Sequence, residues 1–167
     1  MTESAEQAYA RIWQEHQAIA QRMARYYASG AAEPEDLVQE IAAQVWLALP
    51  RFRGESKPGT WFYRVALNTC LSYRRKKRPE SFPAARPPDP PGEDLAARLD
   101  QQDLLRQVRR LAEGFRPADR SLLLLLLEGL SYEEMAEITG MTVNHVGVRI
   151  SRIRARLHQA LSNEARY

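Results

Sequence analysis

The chain has 167 residues, 44% of them apolar and 27% charged, with 24 lysines and arginines against 21 acids and a formal net charge of +3. That suits one ordinary domain or two small ones, and it excludes a wholly disordered chain. The single cysteine, Cys70, excludes an intramolecular disulfide and any cluster of cysteine ligands; its ordinary role is a small buried residue, and the alternative is a redox switch.

The opening MTESAEQAYARIW lacks a basic segment followed by an apolar run, and the longest apolar stretch, Leu122 to Leu127, is far too short to cross a bilayer. The expectation is a soluble cytoplasmic protein without membrane insertion. A first predicted helix runs from about Ala5 to Ala28, with Ile12, Ile19, Met23 and Tyr26 or Tyr27 at helical spacing, Trp13 beside them and Ser29-Gly30 ending it. A second starts at Pro34-Glu35-Asp36, where proline fits the first turn and acids complement the positive end of the helix dipole, and it stops at Pro50. Its apolar stripe is Leu37 or Val38, Ile41, Val45 and Leu49, while Asp36, Gln39, Glu40 and Ala43 lie on another face, open to a partner.

Phe52-Arg53-Gly54-Glu55-Ser56-Lys57-Pro58-Gly59 has the composition of a loop. A third helix is predicted from about Thr60 to Lys77, with Trp61, Val65 and Leu71 toward the core and Tyr63, Arg64, Asn68, Arg74 and Arg75 outward. Aromatic groups interleaved with basic ones suit a nucleic-acid single strand, since bases stack while cations hold phosphates. The plainer role of Trp61 and Phe62 is core packing. Arg74 to Arg78 form one basic block, and the arginines from 149 to 156 another, which together point to two contacts with a polyanion.

Prolines 79, 83, 87, 88, 90 and 91 preclude a helix and favour a stiff, extended connection. The expected organisation is therefore a domain at 1–78, a linker at 79–93 and a second domain at 94–167. Helical periodicity resumes at Leu95, Leu99, Leu104 or Leu105, Val108 and Leu111, ends at Gly114, and restarts after Pro117 through the leucine run to Glu128-Gly129. With no strand signal, the fold class is all-α.

The stretch from Leu130 to Leu161 reads as two helices joined by a tight turn. Ser131 and Glu134 form a capping-box pattern, Met135, Ala136 and Ile138 give an apolar face, Gly140 supplies a left-handed stop, and Thr142 is placed to cap the next helix. Val143, Val146, Ile150, Ile153 and Leu157 form a buried stripe on that helix, and Asn144, His145, Val148, Ser151 and Arg152 the remaining face, with Arg149, Arg154 and Arg156 nearby. This is the pattern of a helix-turn-helix whose second helix enters the DNA major groove. Spacing alone leaves open an ordinary helical hairpin with a solvated basic face.

Three stretches, EDLVQEIAAQVWLAL, FRGESKPGTWFYRVALNTCLSYRRKKR and FRPADRSLLLLLLEGLSYEEMAEITGMTVNHVGVRISRIRARL, resemble in order and spacing the extracytoplasmic-function group of bacterial RNA polymerase sigma factors of the sigma-70 family. The resemblance implies binding to core RNA polymerase, through its beta and beta-prime subunits, and direction of promoter recognition, DNA opening and transcription initiation. It places core docking on Asp36, Leu37, Gln39 and Glu40. It places capture of the opened minus-ten strand on the loop of Phe52, Arg53, Gly54, Glu55, Ser56 and Lys57, with Tyr63, Arg64 and Asn68 as another wall and Arg74, Arg75 and Lys76 on phosphates. Duplex readout of the minus-thirty-five element falls to Thr142, Asn144, His145, Val148, Arg149, Ser151, Arg152, Arg154 and Arg156. An anti-sigma factor is the implied regulator. Many relatives carry a basic residue and then serine where this chain has Gly147-Val148, which shifts base readout toward Asn144, His145, Ser151 and Arg152.

A stand-alone helix-turn-helix repressor or activator would explain the second domain but not the Asp36 face or the aromatic-basic helix. A basic RNA-binding module is a further competitor. His16, His145 and His158 show no metal spacing, and no phosphate loop or nucleophile motif is present, so no enzyme, metal or cofactor is expected.

Overall fold

A computed structural model describes residues 3–28, 33–77 and 106–164. The chain divides into two compact units, Met1–Pro87 and Pro88–Tyr167. The expected linker, the Ser29-Gly30 stop, Arg78 and the leucines at 95, 99, 104 and 105 lie outside the described residues. Among the described residues the regular structure is helical, with no strand.

The first unit packs α1 (Ala5–Tyr27), α2 (Glu33–Ala48) and α3 (Pro58–Lys77) against one another, with a short 3-10 turn, Leu49–Arg51, after α2. Ser4 starts α1 through a capping box: its hydroxyl accepts from the Gln7 N–H at 3.2 Å, and its own N–H donates to the Gln7 side chain at 3.0 Å. Pro50 cannot extend an α-helix from within, and α2 tightens into the 3-10 turn there. The core joins Ile12, Met23 and Tyr27 to Leu37, Ile41 and Val45 and to Phe62, Ala66, Leu67 and Cys70, all buried. Tyr9 ties α1 to α2, donating from its hydroxyl to the Ala42 carbonyl at 3.3 Å and meeting the Trp46 ring edge-on at 5.3 Å.

Leu37, placed on the apolar stripe by spacing and in core docking by the resemblance, is fully buried, which removes it from the docking surface, and Tyr63, expected to face out, is 7% exposed. Because α3 packs against both α1 and α2, its buried arc is wider than one stripe. It takes in Trp61, Phe62 and Tyr63 together, whereas Val65 and Leu71 sit only at its margin.

In the second unit residues 106–113 are helical (α4), followed by α5 (Pro117–Leu127), α6 (Tyr132–Thr139) and α7 (Val143–Glu164). Leu122 to Leu125 are all buried, so α5 is a central helix, apolar nearly all round. It packs on α7, which also packs on α6. Gly129 and Gly140 both take a φ of 76°, the left-handed region that lets a helix stop and the chain turn.

Candidate nucleic-acid interface

The junction of α6 and α7 follows the sequence closely. The Ser131 hydroxyl accepts from the Glu134 N–H at 3.1 Å, and the Glu134 carboxylate accepts from the Ser131 N–H at 2.8 Å. Gly140 closes α6, and the Thr142 hydroxyl accepts from the His145 N–H at 3.2 Å to cap α7. Val146, Ile150 and Ile153 are sunk in the core, and Leu157 is half-buried. Val143, expected in that stripe, is instead 43% exposed at the first position of the helix.

Asn144, His145, Val148, Ser151, Arg152 and Arg154 all lie exposed on α7. Two of the expected DNA-contacting arginines are engaged elsewhere. Arg149 donates from Nε to Oδ1 of Asp119 in α5 at 2.8 Å, both side chains being about one-fifth exposed. Its position therefore fixes the outer helix to the central one. The Arg156 guanidinium lies 4.3 Å from the centre of the Phe115 ring, a cation–π contact that leaves the side chain exposed. Asp119 and Phe115 escaped the sequence reading, since nothing local marks a partner thirty residues away.

In the first unit the exposed stripe of α2 runs through Asp36, Gln39 and Ala43 to Trp46 and Leu47, which are 42% and 63% exposed. Glu40 is half-buried and accepts from the Gln44 amide at 3.2 Å. A groove of about 600 Å3 runs between α2 and α3, lined by Glu40, Asn68, Ser72, Tyr73, Lys76 and Lys77 among others. Asn68 is exposed there. Lys77 lies 3.8 Å from the Glu33 carboxylate and 5.0 Å from the centre of the Tyr73 ring. Arg75 bonds to the Ser72 hydroxyl at 3.2 Å.

The loop before α3 is pinned at both ends. The Phe52 N–H donates to the Leu49 carbonyl, and the Trp61 N–H to that of Lys57, each at 3.0 Å. The Phe52 ring lies 4.8 Å from Trp61, so Phe52 anchors the loop and is only partly open to a base. Arg53, Gly54, Glu55 and Lys57 stand exposed, with Gly54 at a φ of 73° making the bend. None of these loop residues lines the groove that holds Asn68. Arg64 is exposed on α3 and Arg74 half-buried.

Residues 12–80 match the family model of Sigma-70 region 2, and residues 105–157 that of Sigma-70 region 4. The chain belongs to the extracytoplasmic-function group of the sigma-70 family. It is 34% identical over 151 residues to the ECF RNA polymerase sigma-E factor of Escherichia coli, across 81% of this chain and 76% of that protein. It is 32% identical over 146 residues to the RNA polymerase sigma-H factor of Pseudomonas aeruginosa, across 78% of this chain and 74% of that one. Its fold is similar to that of CnrH, solved in complex with the cytosolic domain of CnrY, with a TM-score of 0.69 and 24% identity over 95% of this chain and 90% of that one. It is also similar to the sigma factor RpoE of Bartonella quintana, solved with the anti-sigma factor NepR, with a TM-score of 0.72 and 21% identity over 93% and 97% of the two chains. This sigma factor directs promoter recognition and transcription initiation, and a free-standing repressor or activator is not favoured. Sigma factors are generally regulators without enzymatic activity. Among the described residues no helix is long and apolar enough to cross a membrane.

Proposed function

We propose that this sigma factor docks on core RNA polymerase through Asp36, Gln39 and Glu40 of α2 and reads its promoter in two parts. The first unit engages the opened minus-ten strand, with the exposed loop residues at one end of α3 and Asn68, Arg75 and Lys76 farther along it. At a rise of about 1.5 Å per residue, Asn68 lies roughly 15 Å along α3 from Pro58. The strand therefore meets the loop and the groove as two successive contacts. The second unit lays α7 in the major groove of the minus-thirty-five element, with Asn144, His145, Ser151 and Arg152 at base edges and Arg154 on phosphates.

The observation that carries this reading is the outer face of α7. A capped helix sinks Val146, Ile150 and Ile153 into the core and leaves a polar and basic row outside. The protein works in the cytoplasm, is not an enzyme, and is held in check by a protein partner of the anti-sigma kind. The test is run-off transcription with core polymerase, with and without the chain. A defined transcript that depends on the chain supports the reading. Tight binding of the chain alone to duplex promoter, with no gain in transcription, would overturn it.

A further inference from the structure

The buried stripe of α7 leaves the helix's other face to solvent, and that face is not uniformly polar: Val143 and Val148 are each 43% exposed. Gly147 lies one turn on from Val143 and next to Val148. It lines a depression of about 530 Å3 together with Tyr132 of α6 and Val143, Asn144, Val148, Ser151 and Arg152. Packing of α6 on α7 does not demand glycine there. A Cβ at 147 would meet the Tyr132 ring at 3.6 Å, an ordinary van der Waals contact. Glycine nonetheless weakens a helix interior, so what it provides is room on the solvent side.

Exposed valine methyls gain free energy when an apolar group covers them. In the major groove base edges offer hydrogen-bond donors and acceptors, and the distinctive apolar group is the C5-methyl of thymine. Arg152 beside the depression supplies the positive charge that a duplex attracts. We infer that Val148 reads the C5-methyl of a thymine in the upstream promoter element, with Val143 flanking it and Gly147 letting the base edge approach. This rests on the proposed placement of α7 in the major groove. It makes Gly147-Val148 a reading position in its own right, beyond the shift of readout to the neighbouring polar residues.

Thymidine and deoxyuridine pair identically and differ only by this methyl. The experiment takes holoenzyme, assembled from the full chain and core polymerase, and a duplex library randomised in the upstream element. The library is made once with thymidine and once with deoxyuridine, and bound molecules are sequenced. The wild type should enrich thymine at a defined position, and that enrichment should fall about threefold to tenfold with deoxyuridine, the scale of one buried methyl. Val148→Ala should show no difference between the libraries, and Val148→Thr, which keeps one methyl, should retain part of it. Equal wild-type enrichment from both libraries would overturn the inference, as would full methyl dependence in Val148→Ala. If the wild type enriches no upstream sequence from either library, the placement of α7 fails and this inference with it.

Discussion

Breaking the Asp119–Arg149 pair tests whether Arg149 holds the recognition helix or reads DNA. The two side chains meet at 2.8 Å and are 18% and 21% exposed, so the bond is charge-assisted and shielded from much of the solvent. Hydrogen bonds to charged groups contribute about 1.5–3 kcal/mol, more than the 0–1 kcal/mol of a fully exposed pair. Asp119→Ala and Arg149→Ala should each destabilise the α5–α7 packing by about that amount. The double variant should lose much less than the sum, because the second substitution removes a partner already idle. Backbone hydrogen exchange on α5 and α7 of the full-length protein reads this locally. Protection should fall about 10- to 100-fold in either single variant. Base preference in promoter selection should stay as in the wild type. If Arg149→Ala keeps its protection and loses preference at a particular base pair, Arg149 is a reading residue and the assignment is refuted.

Asp36→Ala combined with Gln39→Ala should weaken the complex with core polymerase while leaving the melting temperature nearly unchanged, since both residues are exposed on α2; unfolding of the double variant would make that face structural. Gly147→Ala should raise the stability of α7 by up to roughly 1 kcal/mol, because the new methyl meets Tyr132 without a clash, and circular dichroism melting checks it. Burial pushes the Cys70 thiol up to about 12 from an ordinary 9.0. Its folded pKa is raised, so its contribution to stability is complete below about 9 and declines as pH rises toward 12. In the native protein at pH 8 Cys70 should resist alkylation by iodoacetamide and react once unfolded, with mass spectrometry as the readout.

What was legible in the sequence was what is local. Ser131 with Glu134, Gly140 and Thr142 each act within one turn of chain, and the structure gives each the bond or the φ that its residue type implies. The exposed row of α7 followed from a single helical phase. The misreadings arise where a helix has more than one neighbour or a partner distant in sequence. A single stripe on α3 predicts Tyr63 outward, yet packing against both α1 and α2 widens the buried arc to include it. Leu37 stands on the apolar stripe by its spacing and on the docking surface by the family resemblance, and the packed bundle buries it with the stripe. The basic run shows Arg149 as one more cation, and its partner Asp119 on α5 is visible only in the packed unit. In the loop, the resemblance gives Phe52 to base capture, and its ring contact with Trp61, which no local pattern shows, makes it an anchor as well.

The first unit is proposed to act on DNA strands once they are open, and transcription by an Asn68→Ala variant on closed and pre-melted templates decides it. Asn68 is exposed on the groove between α2 and α3, so alanine there leaves the core undisturbed. A base in duplex must leave its stack before it can be held, at a cost of a few kcal/mol, whereas a base in a pre-formed bubble already has. Run-off transcription by the variant holoenzyme should fall about tenfold on closed promoter, the rate equivalent of one lost contact of roughly 1.4 kcal/mol. It should recover in part on the same promoter with its minus-ten element pre-melted, while binding to the upstream element stays unchanged. A wild-type level of transcription by the variant from closed duplex would contradict that role of the first unit, and so would an equal defect on both templates.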